Sequence, residues 1–271
     1  MAPHTATIAS QHPLASSLVL VTGASSGIGQ ALAQHYAQAG WRLALVVRNE
    51  FETKKWLSAL SISQDSYRIY IADVANVDDM VAMGQAVLAQ QGLPDVVIAN
   101  AGISVGMDTA IRADLAVLAR TLATNNVGMA ATFHPFLTAM VARGSGTLVG
   151  VASVAGIRGL PGHGAYCASK AAAISYCESL RGELRGTGVQ VVTLLPGYVD
   201  TPLTRGNRYP MPFLMVPAAF AEQAAKAIAQ QTSYRVIPWP MGWVAKLLRV
   251  LPNAWLDKAF AGRPRKRRLG E

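Results

Sequence analysis

Short apolar runs alternate with helical patterns along most of the chain, and this alternation restricts the fold more than any other feature. Residues 18–21 (Leu-Val-Leu-Val) suit a strand buried on both faces. A helical pattern with Ile28, Leu32, Tyr36 and Ala39 follows and ends at Gly40. Strand signals recur at 42–47, 67–72, 95–99, 147–152, 189–195 and 234–238. Helical patterns at 51–60, 77–91 and 121–142, and one through Tyr166, separate them, with a kink expected at Pro135. Such a chain predicts an α/β fold: a doubly wound parallel sheet with helices on both faces and ligands at the carboxyl ends of the strands. No break in composition divides residues 17–238, so one domain is expected there. Residues 1–16 lack the basic start and apolar core of a signal peptide and read as a flexible lead-in.

Two clusters carry chemistry. Between the first strand and first helix stand Gly23, Ser25, Ser26, Gly27, Ile28 and Gly29, in the spacing G-x-x-x-G-x-G. Glycine lets the backbone turn tightly and approach a ligand without a Cβ in the way. Free N–H groups at the helix start then suit a pyrophosphate. Further on, Tyr166 and Lys170 lie four residues apart and share one helix face. An ammonium beside a phenol stabilises the phenolate and lowers its pKa from about 10, fitting Tyr166 for acid/base work. Ser153 lies upstream, across a Gly-rich turn, where its hydroxyl suits a hydrogen bond to a substrate oxygen.

With these, Asn100-Ala101-Gly102, Asn125 and the Pro196–Thr201 segment occur in the order seen in the short-chain dehydrogenase/reductase family, which the chain resembles over roughly residues 17–235. The resemblance implies a Rossmann-type fold and hydride transfer between a nicotinamide cofactor and a carbonyl or alcohol. It implies Tyr166 as general acid/base, Lys170 as the group that tunes Tyr166 and holds the nicotinamide ribose, and Ser153 as polariser of the substrate oxygen. It implies Asn125, rather than the adjacent Asn126, as the residue that fixes the active-site helix and anchors a relay water. Asp73 and Val74 would meet the adenine; Asn100, Ala101 and Gly102 would let cofactor pass close by, with Ala99 where the family often has Asn. Pro196, Gly197, Val199 and Thr201 would meet the carboxamide. Homodimers or homotetramers are also implied, through the helices near 121–142 and 166–184.

The end of the second strand bears on cofactor choice. Folds that prefer NAD place an acid there for the ribose hydroxyls. Here Val47 occupies that place and Arg48-Asn49 follows, so a guanidinium is available for the 2′-phosphate of NADP. NADP(H) is therefore expected over NAD(H). The alternatives are a catalytically idle NADP-binding sensor or scaffold, which would have no use for the Asn125, Ser153, Tyr166 and Lys170 set, and a peripheral membrane enzyme acting on lipid-like substrates.

Residues 203–217 match the family's substrate lid, and their Met and Phe side chains suit a bulky apolar ketone or aldehyde. His163 reads as a loop residue ahead of contact with substrate, and Cys167 as a small, buried, inert thiol ahead of a reactive one. Two cysteines at 167 and 177 fit a reducing, cytoplasmic setting, and no Cys/His cluster at ligand spacing suggests a metal. Residues 239–271 form an amphipathic, basic extension. Eight basic against two acidic residues from 246 onward carry +6 of the chain's +9, so the charge belongs to the tail. Trp243, Val244, Leu247, Leu248, Val250 and Leu251 share a broad helical face that suits folding back on the body, a dimer or a membrane surface. The first is expected, with the terminal basic run solvated and no nucleic acid bound.

Overall fold

The computed structural model describes residues 17–270 apart from 61, 208, 263 and 269, so the lead-in expected at 1–16 lies outside the described residues. Strand β1 (Leu18–Thr22) is followed by helix α1 (Gly27–Gln38), β2 (Arg42–Val47), α2 (Phe51–Ser58), β3 (Tyr67–Ile71) and α3 (Val77–Gln90). Then come β4 (Val96–Ala99), α4 (Asp114–Leu122), α5 (Gly128–Arg143), β5 (Gly146–Val151), α6 (Gly164–Glu183) and β6 (Val189–Pro196). Helix α7 (Pro217–Ala229), β7 (Tyr234–Ile237), α8 (Trp239–Val250) and α9 (Asn253–Phe260) complete the order. The seven strands form one parallel sheet in the order β3-β2-β1-β4-β5-β6-β7, with Val21 opposite Leu45 on one side and Ile98 on the other.

The apolar strands bury both faces, and alternation along each strand divides its side chains between two cores. Leu18 and Leu20 join the core beneath α3, α5 and α6; Val19 and Val21 join the one beneath α1, α2 and α7. Helices α3 and α5 approach closely because Gly84 faces Pro135: a Cβ on Gly84 would lie 2.2 Å from the Pro135 Cβ. The chain order reverses between β1 and β4, which opens a crevice at the carboxyl ends of the strands.

The expected strands and helices form, with ends moved by a residue or two. The helix expected at 121–142 differs more. Helical backbone begins at Asp114, passes through a π-helical segment, Ala123–Val127, and continues as α5. The irregular turn is thus at Asn125, where the side chains of Asn125 and Asn126 reach across to α6. Pro135 lies inside α5, which runs on past it to Arg143.

The extension also departs from expectation. The broad apolar face of α8 divides: Met241 and Ala245 are buried against β7 and the 154–156 turn, while Trp243, Leu247 and Val250 face outward. Among the described residues no helix is long and apolar enough to cross a membrane.

Candidate active site

A cleft of about 630 Å³ runs along the carboxyl ends of β1 to β6. Its floor begins at Gly23, which has φ +68° and whose N–H donates to Val46 O at 2.9 Å. A Cβ there would lie 3.0 Å from Ala101 Cα, so only glycine lets this turn press against the end of β4. Gly27, at φ +57°, faces Thr201, and Ser26 at the N-cap of α1 makes no side-chain cap. The first N–H groups of α1 are therefore left for an anion in the cleft. Thr22 and Asn100 lock the floor: Thr22 Oγ1 accepts from Asn100 N at 3.0 Å and Ala101 N at 3.1 Å, and Asn100 Nδ2 donates to Thr22 O at 3.0 Å.

Ser25, Ser26, Ile28, Arg48, Asn49, Asp73, Val74, Asn100, Ala101, Gly102, Pro196, Gly197, Val199 and Thr201 all line the cleft with Gly23 and Gly27. Gly29 does not. It is buried, and a Cβ on it would lie 2.2 Å from Gly23 O, so it lets α1 pack on the turn rather than touching the cleft. Arg48 is exposed on the outer wall; Glu52, on the first turn of α2, lies on the same wall.

At the inner end Ser153, Tyr166 and Lys170 meet. Lys170 is buried and its Nζ donates to Val151 O at 2.7 Å, 5.8 Å from the centre of the Tyr166 ring. Burial pushes the Tyr166 phenol up to about 12, with a hydrogen bond to Ser153 pulling the other way, and burial lowers Lys170 to about 8. The expected lowering of the Tyr166 pKa is thus reversed, because desolvation outweighs an ammonium that is itself desolvated and directed at a carbonyl.

Asn125 is buried, with Oδ1 accepting from Ile103 N at 2.8 Å and Nδ2 donating to Ile103 O at 3.0 Å and Ser169 Oγ at 2.8 Å. It ties the loop after β4 to α6, one residue before Lys170. Asn126 Nδ2 donates to Ser169 O at 2.8 Å, which strengthens the same junction.

Residues 17–211 match the model of the short chain dehydrogenase family. The chain belongs to the short-chain dehydrogenases/reductases. An uncharacterized oxidoreductase of Myxococcus xanthus is 39% identical over 240 residues, covering 89% of this chain and 94% of that one. A 3-ketoacyl-(acyl-carrier-protein) reductase of Brucella melitensis, solved with NADH, is 25% identical with a TM-score of 0.73 over 82% of this chain and 96% of that one. An actinorhodin polyketide ketoreductase variant, solved with NADPH, is 27% identical with a TM-score of 0.73 over 82% and 95%. The chain is accordingly an oxidoreductase of the dehydrogenase/reductase type, with a Rossmann-like nucleotide-binding fold.

Three side chains near the cleft make contacts that the sequence reading did not specify. His163, read as a loop residue, is buried at the start of α6; its Nε2 meets the Tyr209 hydroxyl at 3.1 Å and its Nδ1 meets Pro161 O at 3.1 Å. Burial lowers the His163 pKa and raises that of Tyr209, with Tyr166 among the groups that add to the Tyr209 shift. Within 203–217, the Tyr209 ring packs against those of His163 and Tyr198, whereas Phe213 is exposed.

The third is Lys266. The basic run expected in solvent docks along the site: Arg267 O accepts from Gly106 N at 2.8 Å, and Arg268 lies 3.5 Å from Asp114. Lys266 Nζ donates to Leu203 O at 2.9 Å and Asn207 Oδ1 at 3.0 Å, joining the tail to the 203–217 segment. A hydrogen at Gly106 permits this, since a Cβ would lie 2.1 Å from Lys266 O. No local pattern announces a contact between residues this far apart in sequence. Cys167 is buried with its thiol pKa raised, as an inert packing residue requires.

Proposed function

We propose that the chain catalyses NADPH-dependent reduction of a ketone or aldehyde, or the reverse oxidation of an alcohol. The observation that carries this reading is the convergence of Ser153, Tyr166 and Lys170 at one end of a cleft whose other wall holds Arg48. A nicotinamide dinucleotide fits the glycine floor, where side chains at Gly23 and Gly27 would intrude, and the uncapped start of α1. Bound there, it supplies or accepts the hydride. The chain's own residues do the rest.

Gly23 and the Ser25–Ile28 backbone hold the pyrophosphate, and Arg48 with Asn49 meets the 2′-phosphate. Asp73 and Val74 flank the adenine; Asn100, Ala101 and Gly102 form the near wall. Pro196, Gly197, Val199 and Thr201 orient the carboxamide. Ser153 donates a hydrogen bond to the substrate oxygen, and Tyr166 delivers a proton to it. With its pKa near 12, Tyr166 holds that proton throughout the neutral range, which suits reduction. Lys170 sets a positive charge beneath Tyr166 and reaches the ribose. Both amide protons of Asn125 are engaged, so a relay water there is held by its Oδ1 or by a carbonyl freed in the π-helical turn.

The test is a parallel titration of the purified protein with NADPH and NADH, followed by a carbonyl screen with wild type and Tyr166→Phe. Tighter NADPH binding supports the Arg48 reading. Tighter NADH binding would transfer the role to Glu52, whose carboxylate suits ribose hydroxyls. Binding of neither would remove the dinucleotide assignment. Substrates with bulky apolar groups are expected to be preferred; preference for small polar ketones would refute that part.

A further inference from the structure

Helix α8 is apolar on two sides, and among the described residues the fold covers one of them. Met241 and Ala245 are buried, with Val244 and Leu248 partly so. Trp239, Trp243, Leu247 and Val250 fall within an arc of about 80° on the opposite side at 100° per residue. They are exposed, from 60% at Leu247 to 76% at Val250, and Trp255 of α9 is 68% exposed. A stripe of large apolar side chains facing water marks an interaction surface.

Its charge indicates the occupant. Lys246 lies on the same face, with its Nζ 4.9 Å over the Trp243 ring. Arg249 on α8 and Lys258 on α9, three residues after Trp255, are also exposed. Two copies meeting through this face would oppose like charges. An anionic bilayer matches both parts: Trp rings and Leu enter the interfacial layer while lysines and arginines meet the headgroups. We propose that α8 and α9 form a docking surface by which the enzyme lies on an anionic lipid membrane. Helix α8 borders the cleft, because its Met241 packs against the cleft residue Gly197, where a Cβ would lie 2.9 Å from Met241 Cγ. Docking therefore brings the substrate mouth close to the lipid.

The experiment is co-sedimentation of the full chain with vesicles of phosphatidylcholine alone or mixed with phosphatidylserine, with light scattering for oligomeric state. Wild type is expected to sediment with the phosphatidylserine vesicles and to do so less in high salt. The double variant Trp243→Ser/Leu247→Gln should bind at least about tenfold more weakly. Lys246→Glu/Lys258→Glu should show a similar loss. Both alter exposed residues, and an unchanged thermal midpoint verifies that each folds. Absence of binding by wild type overturns the proposal. So does binding that the apolar variant leaves unchanged, which would assign it to the tail charges alone. An oligomer that dissociates in the apolar variant, with no lipid binding, would assign the face to a second copy instead.

Discussion

Lys170 Nζ donates to Val151 O at 2.7 Å, so the ammonium of α6 is held by the last carbonyl of β5 rather than by the phenol one turn before it. The charge is thereby fixed under the cleft, in surroundings that disfavour it. Its pKa falls from 10.5 to about 8.

This placement predicts a gain in stability from a loss of function. The folded-state value lies below the unfolded one, so the penalty is complete below about pH 8 and is relieved as pH rises toward 10.5. At pH 7 it amounts to about 3 kcal/mol. Lys170→Met removes it and leaves Val151 O unpaired, which returns about 1–2 kcal/mol. The thermal midpoint at pH 7 is expected to rise by a few degrees while activity falls at least about 100-fold. A drop in midpoint would show that the ammonium stabilises the fold.

The pH dependence of reduction should follow Lys170 rather than Tyr166. Tyr166 remains protonated until near pH 12, whereas Lys170 loses its charge from about pH 8. A profile of kcat/KM for carbonyl reduction is expected to be level near neutrality and to decline above about pH 8. A profile level to pH 10 would contradict this assignment.

Arg48 is tested by its removal. Arg48→Ala should weaken NADPH by about 10- to 100-fold, the range of a charge-assisted hydrogen bond to phosphate, and leave NADH almost unchanged. Isothermal titration with both cofactors measures the difference. Equal loss for the two would mean that the guanidinium does not meet the 2′-phosphate.

Gly29 and Gly27 should separate packing from binding. Gly29→Ala places a Cβ 2.2 Å from Gly23 O, a backbone atom, so α1 must shift and the variant should lose more than about 3 kcal/mol of stability. Gly27→Ala meets Thr201 at 3.1 Å with φ +57°, and should lose about 1–2 kcal/mol while weakening NADPH more strongly. Denaturant melts and cofactor titrations distinguish the two.

The tail contact predicts a substrate effect without a cofactor effect. Lys266→Ala removes the hydrogen bonds to Leu203 O and Asn207 Oδ1 that join the tail to the 203–217 segment. A several-fold rise in KM for the carbonyl substrate, of the order of one or two such bonds, is expected with NADPH affinity unchanged. An unchanged KM would make the tail a bystander.

Much of the fold was legible because its determinants are local. The apolar run at Leu18–Thr22, the glycines that follow and the helical spacing of Ile28, Leu32 and Tyr36 specify strand, turn and helix within one short stretch. The pairing of Tyr166 with Lys170 was equally local, being set by helix periodicity. Residues with similar local patterns still separate in role: Gly23 lines the cleft and Gly29 packs against its carbonyl.

The sequence by itself determined which segments become strands and helices and that the sheet is parallel. These follow from periodicity, glycine geometry and right-handed crossovers, all of which act over short separations. Only the tertiary structure decided that Lys266 joins Asn207, that His163 faces Tyr209, and that α8 turns Met241 inward and Trp243 outward. It also decided the protonation of Tyr166, because burial is a property of the whole packed site. Each of these depends on contacts between segments distant in sequence, where no local pattern selects one apolar face or one partner over another.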